Sequence, residues 1–106
     1  MTAMNLESYK KAMAQEALPV MVEFSAPWCS YCRKIAPALD KIEEKYRDRV
    51  LIGMVNIDDE PVLAAEEQIE VIPTLIFYKN GEALGSIVAP DSRAKIEAFL
   101  EENLAK

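Results

Sequence analysis

The chain has 106 residues, 51% of them apolar, and its 12 basic and 18 acidic side chains give a net charge of −6. A chain of this length can bury an adequate hydrophobic core, so we expect a single domain over residues 1–106. The negative charge, without a basic stripe, argues against nucleic acid and anionic membranes as partners. The sequence contains no histidine, which excludes Ser-His and Cys-His nucleophile pairs and most zinc sites.

The first seven residues have neither a basic region nor an apolar run, so no secretory signal is expected there. No apolar run approaches the roughly 18 residues that a membrane-spanning helix needs. We therefore expect a cytoplasmic protein with no membrane partner. In a reducing cytosol, two cysteines are more often catalytic or metal-binding than a structural cross-link.

The N-terminal part of the chain is expected to start with a short edge strand over residues 2–4. Asn5 is a favourable N-cap for a helix over residues 6–15. Apolar residues recur in that helix with a spacing that places them on one face. They are Leu6, Tyr9 and Met13.

A strand–helix–strand unit follows. Near-continuous apolar runs over residues 20–24 and 50–55 predict two strands that are buried on both faces. Between them, residues 29–46 have helical periodicity, so the two strands are expected to be parallel with a right-handed crossover. The apolar stripe of this helix consists of Ile35, Leu39, Ile42 and Tyr46.

The C-terminal part of the chain is expected to add a short helix and a hairpin. Acidic residues from Asp58 precede Pro61, which favours a helix ending near residue 67. Strands over residues 74–78 and 84–88 are joined across Asn80-Gly81, a pair that favours a type I′ turn.

A last helix is expected after these strands, capped by Ser92 or Asp91. Its inward-facing residues are expected to be Ile96, Phe99, Leu100 and Leu104. The elements together predict an α/β fold, in which a central mixed sheet of four to five strands is flanked by about four helices on both faces.

Cys29 and Cys32 are the only cysteines, and they lie where a strand is followed by a helix. Residues three positions apart share a helix face, so their sulfurs can be joined by a disulfide. A helix start stabilises a thiolate and lowers the pKa of a cysteine thiol below its ordinary value of about 8.5. The stretch predicts a dithiol that is reversibly oxidised to a disulfide. The alternatives are two small buried hydrophobic residues, or half of a metal site completed by a second chain.

Three motifs together resemble the thioredoxin family over nearly the whole chain: Trp28-Cys29-x-x-Cys32, Ile72-Pro73-Thr74 and the Asn80-Gly81 hairpin. The resemblance implies a thioredoxin fold and a monomeric protein-disulfide reductase, with Cys29 as nucleophile and Cys32 as resolving thiol. The implied partners are disulfide-containing protein substrates and a thioredoxin-reductase-like electron donor. No cofactor is expected, because the chain has no nucleotide-binding or flavin motif.

The resemblance also implies a substrate groove. Trp28 would cover the disulfide and touch partners, Pro73 would follow a cis peptide bond, and the backbone of Ile72 would pair with an extended substrate segment. Ala89, where many relatives have glycine, would border the groove. The Ser30-Tyr31 pair replaces the common Gly-Pro of thioredoxins. Tyr31 before Cys32 resembles the glutaredoxin motif, which ends in Tyr-Cys. For Trp28 the alternative is a core anchor, and for Ala89 an ordinary loop residue.

Glu23 alternates with apolar residues in a strand that should be covered on both faces, so we expect it to be buried. In the thioredoxin family an aspartate at this point lies under the second cysteine and accepts its proton. Met54 aligns where the family often has a lysine, so we expect burial to raise the pKa of Glu23 without opposition from a cation. The alternative is a glutamate whose carboxylate reaches water at the strand end.

Other functions on the same sequence are a disulfide oxidase or isomerase, or a binding or scaffold protein in which the dithiol is incidental. A metal or iron–sulfur carrier that uses the cysteine pair across a dimer is a further alternative. The reduction potential would separate the redox functions, because reductants of this type lie near about −270 mV and strong oxidants near about −120 mV.

Overall fold

The computed structural model describes all 106 residues and contains five strands and four helices. In chain order they are β1 (Thr2–Met4), α1 (Leu6–Ala14), β2 (Val20–Ser25), α2 (Ser30–Tyr46), β3 (Leu51–Asn56), α3 (Pro61–Glu66), β4 (Thr74–Lys79), β5 (Glu82–Val88) and α4 (Arg93–Leu104). Every predicted element is present, and most of the predicted helix and strand ends lie within one or two residues of the observed ones.

The strands form one mixed sheet in the order β1-β3-β2-β4-β5. β1, β3 and β2 are parallel, whereas β4 and β5 are antiparallel to their neighbours. All six residues of β2 are buried, because this strand lies inside the sheet and is covered on both faces. The mixed sheet and the parallel β2–α2–β3 unit are therefore confirmed.

Helices cover both faces of the sheet, as predicted. α2 and α4 pack on the face to which β2 directs Met21, and α1 and α3 pack on the face of Val22 and Phe24. Glu23 points to the α2 side, because successive strand residues alternate between faces. The α2–α4 core consists of Met21, Ile35, Leu39, Ile42, Tyr46, Val50, Ile52, Leu75, Phe77, Ile96, Phe99 and Leu100.

Two helices bury different residues from those predicted. In α1, Ala12 is buried with Tyr9, while Leu6 in the first turn is exposed. In α4, Asn103 is buried and Leu104 only half-buried. Because Gly85 of β5 has no side chain, Asn103 can approach it so closely that a Cβ there would lie 2.6 Å from Asn103 Oδ1.

Local signals at caps and turns are confirmed. Asn5 accepts a hydrogen bond from the Ser8 N–H at 2.8 Å, and Ser92 is the residue that caps α4. Asn80 and Gly81 have φ values of 53° and 78°, which are the positive angles that a type I′ turn requires at both central residues.

Candidate active site

The cysteine pair lies at the C-terminal end of β2, where the chain enters α2. Cys29 is the N-cap of α2 and Cys32 lies in its first turn; the two form a disulfide with a Cα–Cα distance of 5.3 Å. The Cys32 backbone N–H donates a hydrogen bond to Cys29 Sγ over 3.1 Å. In the reduced protein, an N–H group and a helix dipole directed at this sulfur favour its thiolate.

Both cysteines are largely covered in the disulfide form. Cys29 is 8% exposed and Cys32 4%. Cys32 is therefore slightly more buried than Cys29.

Trp28 is not a core residue, since it is 64% exposed. Its indole N–H donates a hydrogen bond to Asp58 Oδ2 at 3.0 Å, and the Asp58 backbone N–H in turn donates to Asn56 Oδ1. The loop after β3 therefore orients the ring of the residue that precedes Cys29. From the sequence, Asp58 was predicted only to belong to an acidic helix start, and its contact with Trp28 was not predicted.

Glu23 is only 3% exposed, and its Oε2 atom has no hydrogen-bond partner. Burial raises the pKa of Glu23 from 4.5 to about 7. The Met1 amino group opposes this rise and the Asp40 carboxylate adds to it, each less than burial. The expected burial and raised pKa are confirmed, but the expectation of no opposing cation is wrong, because Met1 lies close to the carboxylate.

A cavity of about 410 Å³ connects the acidic group with the second cysteine. Glu23 and Cys32 both line it, and Met54 lies opposite Glu23 in the β2–β3 pairing. No lysine lines the cavity. The lining residues are Met1, Glu23, Ser25, Ala26, Pro27, Cys32, Arg33, Ala36, Asp40, Met54 and Asn56.

The loop before β4 approaches the cysteines from the other side. The Ile72–Pro73 peptide bond is cis, as expected, and Ile72 packs against the cysteine pair. The Ala89 N–H donates to the Pro73 carbonyl oxygen at 2.8 Å. Val71 and Val88 were not predicted from the sequence as site residues. They are exposed apolar residues adjacent in the chain to Ile72 and Ala89.

Comparison with known proteins agrees with this geometry. The family model described as thioredoxin matches residues 1–102. The chain is 36% identical to a thioredoxin of Porphyra purpurea over 92% of each chain, and 34% identical to thioredoxin 1 of Synechococcus elongatus over 92% of this chain and 91% of that one. It is 35% identical to a chloroplastic M-type thioredoxin of Spinacia oleracea, of which it covers 56%.

The chain belongs to the thioredoxin family. With its disulfide-forming cysteine pair, this family member is a thiol–disulfide oxidoreductase that reduces protein disulfides. Thioredoxins work with disulfide substrates and with a thioredoxin reductase. None of the helices is long and apolar enough to cross a membrane.

The residues between the cysteines depart from the common thioredoxin pair. Ser30 is exposed and begins α2. Tyr31 is half-buried, packs against the cysteines, and donates a hydrogen bond from its hydroxyl to the Pro90 carbonyl oxygen at 2.7 Å. Arg33 donates to the Pro27 carbonyl oxygen at 2.7 Å and so holds a positive charge at the cavity wall.

Proposed function

We propose that Cys29 is the attacking thiol and Cys32 the resolving thiol in reduction of protein disulfides. The observation that supports this assignment best is the Cys32 N–H directed at Cys29 Sγ at the start of α2. A thiolate is the nucleophile in disulfide exchange, and the sulfur that receives this hydrogen bond is the one that the helix start favours in ionised form.

In the first step, Cys29 thiolate attacks one sulfur of the substrate disulfide. The substrate S–S bond breaks, a mixed disulfide forms, and the leaving thiolate takes a proton from solvent. In the second step, Cys32 thiolate attacks Cys29 Sγ and releases the second substrate sulfur. The substrate gains two electrons and two protons, and the protein is left with the Cys29–Cys32 disulfide.

Glu23 is the proposed acceptor of the Cys32 proton. A pKa of about 7 leaves an appreciable fraction of this carboxylate ionised at neutral pH. This pKa is also suited to a general base, because a general base works best when its pKa lies near the operating pH. The cavity that Glu23 and Cys32 share provides a path for the proton, directly or through one water molecule.

The proposed substrate groove lies between Trp28, Tyr31 and the loops of Ile72-Pro73 and Ala89. An extended substrate segment would pair with the Ile72 backbone, so that main-chain hydrogen bonds supply affinity without demanding one side-chain sequence. Exposed apolar side chains at Trp28, Val71 and Val88 offer contacts to such a segment. Substrates with little sequence in common are expected to bind.

We further propose that a thioredoxin-reductase-like protein returns two electrons to the disulfide. The protein would act as a monomer of one domain. It would work in the cytoplasm, because a dithiol reductant needs a compartment that keeps it reduced.

The test combines activity with reduction potential. Purified protein should reduce insulin when dithiothreitol, or NADPH with a thioredoxin reductase, supplies electrons, and Cys29→Ser should abolish this activity. Equilibration with glutathione buffers should give a potential near about −270 mV, the value typical of thioredoxins. A potential near about −120 mV would instead identify a disulfide oxidase.

A further inference from the structure

Tyr31 connects the dithiol helix to the loop after β5. Its hydroxyl donates to the Pro90 carbonyl oxygen at 2.7 Å, between residues 59 positions apart in the chain. The ring is half-buried and contacts both the cysteine pair and the α2–α4 core. This hydrogen bond therefore links the first turn of α2 to the loop between β5 and α4.

The loop that Tyr31 holds has an unusual backbone. Ala89 has a φ of 44°, in the left-handed region where a Cβ is sterically disfavoured and glycine is the ordinary residue. Ala89 nevertheless donates its N–H to the Pro73 carbonyl oxygen. The residue next to it, Pro90, is buried and carries the carbonyl group that receives the Tyr31 hydrogen bond.

These contacts form one continuous path, from the cysteine pair through Tyr31, Pro90 and Ala89 to Pro73. We propose that the Tyr31 hydroxyl is a positioning group that keeps the Ala89 loop in its left-handed conformation and so maintains the substrate groove. Without the hydroxyl, Ala89 relaxes toward negative φ, its hydrogen bond to Pro73 is lost, and the groove wall moves. This inference rests on the proposed function only in that the groove binds protein disulfides.

The test compares wild type with Tyr31→Phe, which removes only the hydroxyl. With dithiothreitol as electron source, KM for insulin should rise roughly 2- to 12-fold, the range that one net hydrogen bond gives. The rate with the small disulfide DTNB should fall less than the rate with insulin, because DTNB has no extended segment to bind along the loops of Pro73 and Ala89. Tyr46→Phe is the matched control: it removes a hydroxyl that is hydrogen-bonded to Glu101 on the α2–α4 side, and it should leave KM for insulin unchanged.

A double-mutant cycle separates positioning from direct substrate contact. In an Ala89→Gly background the left-handed conformation has no steric cost, so Tyr31→Phe should raise KM much less than in the wild-type background. An equal rise in both backgrounds would overturn the positioning role, as would an unchanged KM in Tyr31→Phe. Equal losses with insulin and DTNB would place the effect on the dithiol and also overturn it. If wild type itself fails to reduce insulin, the proposed function fails rather than this inference.

Discussion

Glu23 of β2 and Met54 of β3 lie directly opposite each other, and both side chains line the cavity that reaches Cys32. Residues paired in register on adjacent strands point to the same face of the sheet. A thioether therefore occupies the place from which a cation would lower the pKa of the carboxylate. Burial dominates instead and raises this pKa to about 7, against partial opposition from the Met1 amino group.

Glu23 should make stability depend on pH in an unusual direction. Because its pKa is raised, the native protein holds a proton that the unfolded chain releases. The stabilising effect is complete below about pH 4.5 and is lost as the pH rises through about 7. The shift corresponds to roughly 3 kcal/mol. Urea denaturation of the oxidised protein should be measured from below about pH 4.5 to above about pH 7. Over this range the free energy of unfolding of wild type should fall by about this amount relative to that of Glu23→Gln.

The control for this experiment is Glu102→Gln, which changes an exposed glutamate of α4. It should follow the wild-type pH profile throughout. Parallel profiles for wild type and Glu23→Gln would show that Glu23 is solvated and that its pKa is not raised.

Met54→Lys should lower the pKa of Glu23. A lysine at this position would place an ammonium group next to the carboxylate and favour its ionised form. Titration of the Glu23 side chain by carbon-13 NMR should give a midpoint near 7 in wild type and a lower midpoint in Met54→Lys. Met54→Leu, which adds no charge, should keep the wild-type midpoint. A wild-type midpoint near 4.5 would exclude Glu23 as the proposed acceptor.

Loss of the Glu23 carboxylate should slow release of the mixed disulfide. General-base catalysis typically contributes about 10²- to 10⁴-fold, and Gln cannot accept the Cys32 proton. Stopped-flow measurement with a chromogenic disulfide should show a slower second phase in Glu23→Gln, while attack by Cys29 in the first phase keeps its rate. A second phase of unchanged rate would assign the proton to solvent instead.

Local signals in the sequence predicted most of the fold. The position of Cys29 followed from an apolar run that ends where helical periodicity begins, and the Asn80-Gly81 turn followed from the freedom of these residues at positive φ. The cis bond before Pro73 had no local signal and was expected only from the family resemblance. The burial of Glu23 followed from strand alternation, because its neighbours Val22 and Phe24 are apolar.

Contacts between distant parts of the chain were not predictable in this way. Asp58 accepts from Trp28 across 30 positions, and Pro90 accepts from Tyr31 across 59. Neither acceptor has a sequence pattern that distinguishes it from other loop residues. Such contacts depend on how the elements pack, which periodicity does not specify. The proximity of Met1 to Glu23 was missed for the same reason.

Cys29 should react before Cys32 in the reduced protein. The helix start and the Cys32 N–H favour the thiolate of Cys29, and the thiolate is the form that alkylates. Limiting iodoacetamide near neutral pH, followed by peptide mass spectrometry, should place the label on Cys29. Equal labelling of the two sulfurs would contradict this order.

Trapping should distinguish the two cysteines independently. Cys32→Ser lacks the resolving thiol, so it should accumulate a mixed disulfide with a substrate protein. Cys29→Ser should not, because the remaining sulfur lacks the hydrogen bond that Cys29 receives. Non-reducing electrophoresis measures both variants. Trapping by Cys29→Ser alone would reverse the proposed roles.

Trp28 should report the state of the cysteine pair. It is the only tryptophan, it precedes Cys29 in the chain, and Asp58 holds its indole ring in place. Disulfides quench indole emission at contact, so emission should rise when dithiothreitol reduces the protein. The double variant Cys29→Ser/Cys32→Ser should show no change with dithiothreitol, which controls for effects of the reagent itself. An emission spectrum that stays the same in wild type would mean that the ring does not contact the disulfide in solution and would remove Trp28 from the proposed groove.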